Sequence, residues 1–543
     1  MQFTRKAFVI SMSAAFLALG ACGGPSGGGS QVSREEQLRR GVNANPDSVD
    51  PHKAQGTWEN DIIGDMFIGL FTEDAASKPI PGVAESWTTS EDGLTWTFKL
   101  KHTNWSDGVP LTANDFVFSL RRMLNPKTLG AVYASILYPI KNAQAVNSGK
   151  MPPEQLGVRA VDDYTLEIQL ENPMPYLPAL LKHYTAYPVP QHVVEKYGDD
   201  WTRPEHIVVN GPYKLVEWRS GDYLRSVKND AFADAANVCF KQIIYFTQSD
   251  HDAMVRRAQA GEIDMNSSFP SGQLAETEQK LPGWPRVSPM MATTYTVTNT
   301  TKPPFDDKRV RQAVAMAEDR EYITKSILKG RQIPAYNFVP PGMNGYPHPA
   351  EFRWKDEPRA QRLKEAVALL QQAGYGPDKP LEFEYLYRAS GDNPRIAPVL
   401  QANWQDIAPW VHPQIRQVET KDLYKQEQEQ DFTIADSGWV VDYNDPYNFL
   451  YLMDSRTGPM NYGQYKNPAY DDLLDKALKQ TDTAERTKYL EQADQMMLDD
   501  TAVIPLLTRV TQDIVNPDIT GYVDNIEDIH RSRYMCRKGL KAG

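Results

Sequence analysis

No linker of recognisable composition interrupts this chain of 543 residues beyond residue 30, and no low-complexity segment or internal repeat is found there. A single hydrophobic core rarely grows past about 250–300 residues. The chain must therefore build more than one core without flexible segments between them. We expect lobes that are joined by short crossover strands, with the chain passing between the lobes more than once.

Strand-like and helix-like patterns alternate along the chain. Residues 94–100 alternate apolar and polar side chains with the period of a half-buried strand, and residues 164–170 do the same. Between them, Thr112 and Asp115 have the spacing of a capping box, and apolar residues follow at helical spacing. This mixture predicts the α/β class, arranged in several lobes.

The first 30 residues have the layout of an export signal and a tether. Arg5 and Lys6 precede an apolar run over residues 7–19, which is too short to span a bilayer. The run ends in Leu-Gly-Ala-Cys (19–22), which resembles a bacterial lipobox, and a Gly/Ser-rich stretch follows. We predict a signal peptide at 1–21, and a lipidated Cys22 with a flexible tether at 22–30. The alternative is a soluble export signal with an unrelated cysteine.

The charge of the chain excludes one class of partner. The formal net charge is -12 at pH 7, and removal of residues 1–21 makes it two units more negative. No basic patch accompanies an element that could read a nucleic-acid groove. Nucleic acid is therefore not a predicted partner.

The chain has three cysteines, Cys22, Cys239 and Cys536. If Cys22 carries lipid, the other two form an even pair in an oxidising compartment, where a disulfide persists. We predict a Cys239–Cys536 disulfide that pins the C-terminal tail to the first lobe. No Cys-x-x-Cys motif or Cys/His cluster predicts a metal site.

Asp442 is the most informative acid of the chain. It follows a strand-like run at 432–435 and then Gly-Trp-Val-Val (438–441), so we expect it where a strand ends in a dry setting. A carboxylate is unfavourable there unless a cation or several donors meet it, and a ligand amine could be that cation. The alternative is that Asp442 caps the turn at Asn-Asp-Pro (444–446).

The common catalytic motifs are absent from the sequence. It contains no Gly-x-Ser-x-Gly, no His-Glu-x-x-His, no phosphate loop and no Gly-x-Gly-x-x-Gly after a strand. The nine histidines are scattered. We therefore predict a binding protein, not an enzyme, with no catalytic residue, metal or cofactor.

Seven motifs follow one another across nearly all of the mature chain. They are Ser-Val-Asp-Pro-His-Lys (48–53), Pro-Gly-Val-Ala-Glu-Ser-Trp (81–87), Trp-Ser-Asp-Gly-Val-Pro-Leu-Thr-Ala-Asn-Asp-Phe-Val (105–117), Asn-Gly-Pro-Tyr-Lys-Leu (210–215), Gly-Glu-Ile-Asp-Met (261–265), Pro-Phe-Asp-Asp-Lys-Arg-Val-Arg (304–311) and Gly-Trp-Val-Val-Asp-Tyr-Asn-Asp-Pro (438–446). Together they resemble the extracytoplasmic oligopeptide-binding proteins of bacterial ABC importers, solute-binding protein family 5.

This resemblance implies an α/β fold of the type II periplasmic-binding-protein kind, with two lobes around a cleft and an additional third domain. It assigns residues 31–66, 191–291 and 508–543 to lobe I, 67–190 to the additional domain and 292–507 to lobe II. It also implies that the lobes close over a peptide or peptide-like ligand, which is a population shift set by the ligand's preference for the closed state.

The resemblance further implies partners and a location. The closed form would deliver its ligand to the permease subunits of an ABC transporter. The protein would be a monomer, held by its lipid at the periplasmic side of a bacterial cell membrane. Two other functions stay open, namely a signalling or scaffold lipoprotein that does not transport, and an anchored hydrolase on the same fold.

Family positions carry over to this chain one by one. Asp442 would bind the α-ammonium of the ligand, and backbone groups around Gly438 and Val440 would pair with the peptide main chain like an added strand. The resemblance gives Trp439 the role of a pocket wall. The other matched positions are the backbone near Thr57 and the pocket tyrosines Tyr133 and Tyr295.

The chain departs from the family at several of these positions. Ala292 and Val440 replace a cysteine pair, and we expect these two small residues to touch. Asp436 stands where the family has an arginine, and Arg388 where it has an asparagine. Either Arg388 and Asp436 form an ion pair, or Asp436 and Asp442 together favour a ligand with more positive charge. Both changes fall where the carboxylate end of the ligand would be read.

Overall fold

The structure is a computed structural model that describes residues 32–54, 56–128 and 132–542. Its strands, β1 to β23 in chain order, are Gln37–Gly41, Phe71–Glu73, Pro79–Pro81, Ala84–Thr89, Thr95–Leu100, Thr103–Asn104, Pro110–Leu111, Val158–Asp162, Thr165–Gln169, Tyr213–Arg219, Tyr223–Lys228, Gln242–Phe246, Met265–Asn266, Pro285–Arg286, Pro289–Thr298, Ile333–Pro334, Leu381–Arg388, Val411–Val418, Ile434–Val440, Val503–Val510, Asp513–Val515, Ile519–Thr520 and Cys536–Arg537. Its α-helices, α1 to α15, are Thr57–Met66, Ala113–Leu124, Ala143–Asn147, Leu177–Leu181, Gln191–Tyr197, His251–Gln259, Leu274–Lys280, Lys308–Ala317, Arg320–Tyr322, Arg359–Gln372, Asn393–Gln405, Thr420–Gln428, Tyr447–Leu450, Pro468–Leu478 and Thr483–Asp499.

The local patterns of the sequence form the expected elements. The two alternating runs become β5 and β9, which pair antiparallel with each other. The capping box precedes α2, where the backbone N–H of Thr112 donates to Asp115 Oδ2 at 2.9 Å. The predicted α/β class is therefore confirmed at the level of its elements.

Three larger sheets organise the described residues. A seven-stranded sheet has the order β10-β11-β12-β1-β13-β21-β14, and β1 lies parallel to both of its neighbours. A six-stranded sheet has the order β16-β20-β15-β19-β17-β18, and a four-stranded sheet the order β4-β5-β9-β8. The first and third sheets share one hydrophobic core, and the six-stranded sheet has another. The chain thus builds separate cores, as its length requires.

Two antiparallel segments, which we call the crossover ribbon (residues 285–298 and 503–515), join the two large sheets. β14 pairs with β21 in the seven-stranded sheet, and β15 pairs with β20 in the six-stranded sheet. Between these pairs, the N–H of Thr511 donates to the carbonyl of Ser288 at 2.9 Å. The chain passes between the two sheets at residues 287–288 and 511–512, whereas the expected lobe boundaries at 291/292 and 507/508 fall inside β15 and β20.

The C-terminal tail is fixed to the seven-stranded sheet. The predicted disulfide joins Cys239 and Cys536, whose Cα atoms lie 5.3 Å apart. Nearby, Arg531 forms a buried ion pair with Glu73, and the N–H of Ser532 donates to Asp65 Oδ1 at 2.8 Å. The tail therefore supplies further partners to two buried acids.

The predicted signal peptide, Cys22 and the tether lie outside the described residues. Among the residues that are described, none of the helices combines the length and apolarity needed to cross a membrane.

Candidate functional site

Asp442 lies just beyond the end of β19, where the sequence places it. Its carboxylate accepts one hydrogen bond, from Asn448 Nδ2 at 3.2 Å, and forms no ion pair with any described residue. Burial raises the pKa of Asp442 to about 7, and the hydrogen bond from Asn448 opposes this rise only in part. The carboxylate is thus partly shielded from solvent and has no cationic partner among the described residues.

The turn after β19 is capped by Asp445, not by Asp442. Asp445 Oδ1 accepts from the N–H of Tyr447 at 2.9 Å, and both of its oxygens accept from Arg486 at 2.8 Å. The alternative role considered for Asp442 is therefore filled by its neighbour. Asp442 remains available for a ligand.

Asn448 holds the site together. Its Oδ1 accepts from the indole Nε1 of Trp439 at 2.9 Å and from the backbone N–H of Asp442 at 3.1 Å, while its amide donates to the Asp442 carboxylate. The indole of Trp439 also meets the ring of Tyr451 edge-on, with centroids 6.0 Å apart. Asn448 was not predicted as a site residue, although its place in the first turn of α13, just after Pro446, offered a signal.

Aromatic side chains from a second part of the molecule face Asp442. Burial, with Asp442 as a further cause, raises the pKa of Tyr133, and burial, Tyr133 and Asp442 raise that of Tyr184. The two rings lie with centroids 6.2 Å apart. Tyr133 packs against the core shared by the seven- and four-stranded sheets, whereas Asp442 follows β19 of the six-stranded sheet. The fold therefore brings together residues from two different cores, as expected for a cleft.

The segment Gly438 to Val440 offers an open strand edge. β19 pairs with β15 along its whole length, from Thr298↔Ile434 to Ala292↔Val440. On its other side it pairs with β17 only at Ile434 and Ala435. Within the described chain, the backbone from residue 438 to residue 440 therefore has a strand on one side only, and all three residues are partly exposed.

The strand register brings Ala292 and Val440 together, as predicted. These residues stand directly opposite each other in the β15–β19 ladder, where side chains share one face of the sheet. The position of the replaced cysteine pair is thus a direct cross-strand pair of small side chains.

Arg388 and Asp436 form an ion pair, with Arg388 Nε 2.7 Å from Asp436 Oδ2. Burial raises the pKa of Asp436, and Arg388 only partly reverses this rise. Arg388 Nη1 also donates to Tyr424 Oη at 3.3 Å. Of the two alternatives for Asp436, the structure contains the ion pair with Arg388.

Tyr295 and Thr57 differ in their exposure to solvent. Tyr295 is buried on β15, opposite Ser437, and packs edge-on against Phe338 with centroids 5.0 Å apart. Thr57 is exposed at the first position of α1, after Gly56. Glu59 of the same helix is among the groups that raise the pKa of Tyr133, after burial, Asp442 and Tyr424, so this helix begins near the cleft.

Two further ionisable groups near β19 were not predicted from the sequence. Glu427 on α12 is fully buried, and burial raises its pKa to about 8. Arg509 on β20 donates from Nε to Thr294 Oγ1 at 2.9 Å. The signal for Arg509 was a single cation that follows the apolar run 503–507 and Thr508.

One cluster in the described residues has donor atoms that could hold a cation. Ligand atoms of Asp513, Asp528 and His530 lie within 4.8 Å of one another. Tyr522 Oη bonds both Asp513 Oδ2 at 2.9 Å and His530 Nε2 at 3.0 Å. Burial raises the pKa of Asp528 to about 7, so hydrogen bonds can satisfy this cluster without a metal.

Comparison with known proteins gives matches over nearly the whole chain. The model of bacterial extracellular solute-binding proteins, family 5 Middle, matches residues 78–461. The periplasmic oligopeptide-binding protein OppA of Salmonella typhimurium is 35% identical over 97% of this chain and 98% of its own length.

Solved structures show the same fold. The Escherichia coli murein tripeptide binding protein MppA matches with a TM-score of 0.84 at 34% identity, covering 93% of this chain and 99% of the other. Haemophilus influenzae OppA in complex with RPPGFSPFR matches with a TM-score of 0.83 at 32% identity, covering 93% of this chain and 100% of the other. MppA in its unliganded open form matches with a TM-score of 0.76 at 33% identity, covering 93% of this chain and 98% of the other. The arrangement of this chain is thus closer to the first MppA structure than to the open form.

Proposed function

Because this chain belongs to family 5 of the bacterial extracellular solute-binding proteins and has their type II fold, we propose that it captures oligopeptides or peptide-like ligands and delivers them to an ABC importer. Its relatives include oligopeptide-binding proteins, and the matching Haemophilus influenzae OppA structure contains a peptide. These relatives are binding proteins and not enzymes, which supports a role without catalysis.

The observation that carries the proposal is the lone carboxylate of Asp442 at the end of an open strand edge. A peptide amine would supply the missing cation. The peptide main chain would then run along residues 438–440 and complete their hydrogen bonds as an added strand. Such pairing reads the backbone, which all peptides share, so tolerance of different side chains follows.

Native mass spectrometry of the purified protein, followed by titration calorimetry with short peptides, tests this function. We expect co-purified ligand masses in the peptide range and binding of unmodified tripeptides and tetrapeptides, but no binding of N-acetylated forms. Release of cleaved peptides would instead favour a hydrolase. A protein that retains no ligand and binds no peptide would favour a signalling or scaffold role.

The division into lobes supports closure around this site. We assign residues 31–66, 191–291 and 508–543 to lobe I, 67–190 to the additional domain and 292–507 to lobe II. Tyr176 of the additional domain stacks on Tyr443, with centroids 5.6 Å apart, and lies 4.7 Å from the guanidinium of Arg486. These contacts, next to Asp442, would hold the cleft closed.

Peptide affinity should depend on pH, with a maximum between about 7 and 8. The pKa of Asp442 is raised to about 7 by burial, so acidification protonates the carboxylate and should weaken binding by about tenfold per pH unit below that value. Above about pH 8 the peptide amine loses its own proton. Calorimetry from pH 5 to pH 9 measures this profile. An affinity that does not change between pH 5 and pH 7 would contradict the role of Asp442.

We also propose that lipid at Cys22 anchors the protein at the periplasmic side of the membrane, beside its permease. Cys22→Ser should move the protein from the membrane fraction to the soluble periplasmic fraction, with peptide affinity unchanged. Mass spectrometry of the N-terminal peptide measures the lipid directly. Recovery of the unsubstituted protein in the soluble fraction would contradict the anchor.

A further inference from the structure

Arg509 reaches the cleft with most of its donors unused. Its Nε bonds Thr294 on the neighbouring strand β15. Its two terminal nitrogens form no hydrogen bond or ion pair with any residue that the structure describes, and the side chain is only partly exposed. A guanidinium in such a setting is stabilised by an anion that approaches from the cleft.

The register explains how this side chain reaches β19. Thr294 stands opposite Gly438, and a Cβ at position 438 would overlap Nη2 of Arg509. The missing side chain of Gly438 therefore gives the guanidinium room to extend across β15. Its terminal nitrogens lie at the start of the open edge, four residues before Asp442.

A second cation lies close to the first. Arg388 uses Nε for Asp436, but its Nη2 is buried and has no hydrogen-bond partner. Burial and the nearby Arg388 both lower the pKa of Arg509, which places the two cations near each other. Burial raises the pKa of Glu427 to about 8, so among the described residues Asp436 is the acid that pairs with these two guanidinium groups at neutral pH.

We infer that Arg509, together with Nη2 of Arg388, binds a carboxylate of the ligand at the end of the open strand edge opposite Asp442. This inference rests on the proposed function and specifies its substrate class. Four residues of strand span about 13 Å, which matches an extended peptide of three to four residues. The anion is either the C-terminal carboxylate or an acidic side chain, both of which arginine binds through paired hydrogen bonds.

Calorimetry at pH 7.5 with three tetrapeptides tests the inference. They are the free acid of tetra-alanine, its C-terminal amide, and an amide with glutamate at the fourth position. The unsubstituted protein should bind the free acid at least about tenfold more tightly than the plain amide. Arg509→Gln should remove this preference, Arg509→Lys should retain part of it, and Arg256→Gln, on the exposed face of α6, should behave like the parent.

The three tetrapeptides distinguish the two possible sources of the carboxylate. Tight binding of the free acid alone identifies the C-terminal carboxylate, and recovery of affinity by the glutamate amide identifies a side chain. Equal affinity of the parent for all three peptides would overturn the inference while leaving peptide binding in place. A parent that binds none of them would overturn the proposed function, and this inference with it.

Discussion

Replacement of Asp442 by asparagine is expected to abolish peptide binding at neutral pH without loss of the fold. The ligand amine would lose its charged partner in a buried site, which costs about 3–5 kcal/mol, or about two to nearly four orders of magnitude in Kd. The carbonyl of the new asparagine can still accept from Asn448 Nδ2, as the carboxylate does now. Calorimetry with tri-alanine measures the loss.

Asp442→Asn, which weakens peptide binding, should increase the stability of the ligand-free protein at neutral pH. Burial raises the pKa of Asp442 from 3.8 to about 7, so the ligand-free folded state binds a proton more tightly than the unfolded state does. Its free energy of unfolding should therefore decrease as pH rises from about 4 to 7, by on the order of 1–4 kcal/mol. Asp442→Asn should remove this decrease.

Asp472→Asn, on the exposed surface of α14, is the matched control and should change neither quantity. A variant at Asp442 that keeps its affinity for tri-alanine would refute the assignment of the amine site. One that is unfolded at pH 8 would refute the electrostatic reasoning behind the stability change.

Removal of the Cys239–Cys536 disulfide should give the largest loss of stability. The bridge closes a loop of 297 residues, and the entropy that a crosslink removes from the unfolded chain increases with loop length. We expect Cys239→Ser with Cys536→Ser to lower the free energy of unfolding by about 3–5 kcal/mol. Denaturant titration monitored by tryptophan fluorescence measures this change.

The outcome can be separated from general effects of substitution. In a Cys22→Ser background, addition of a reducing agent should shift the parent to the unfolding midpoint of the double variant and leave the double variant unchanged. Two free thiols in the denatured, unreduced protein would show that the bridge does not form. An unchanged midpoint would show that the tail contributes little to lobe I.

The parts of the site that were predictable from sequence are those carried by one short segment. The strand-like pattern before Gly438 placed Asp442 at a strand end, and the apolar neighbours predicted its dry setting. Outside the site, the pairing of Cys239 with Cys536 was predictable from a count of three cysteines. The ion pair of Arg388 with Asp436 was one of two open accounts, because sequence alone does not fix the distance between two strands.

Other parts depend on register and on packing between distant segments. Arg509 reaches Gly438 only because β20, β15 and β19 lie side by side in one register, which no local pattern encodes. The cap by Asp445 instead of Asp442 depends on Arg486, which comes from a different helix. The crossover ribbon likewise joins segments that are far apart in sequence, so its strands were expected only in general terms.

The groups proposed to bind the ends of the ligand lie on one side of the cleft, and the aromatic side chains lie on the other. The six-stranded sheet, with the loop that follows β19, carries Arg388, Arg509, the open edge and Asp442. Tyr133 and Tyr184 approach from the other side. On the proposed function, a ligand would therefore dock by both ends on one side of the cleft before the aromatic wall closes over it. Loss of a charged group that pairs with the ligand in this buried site should then alter mainly the dissociation rate. Changes to the aromatic wall should alter mainly the residence time of the ligand.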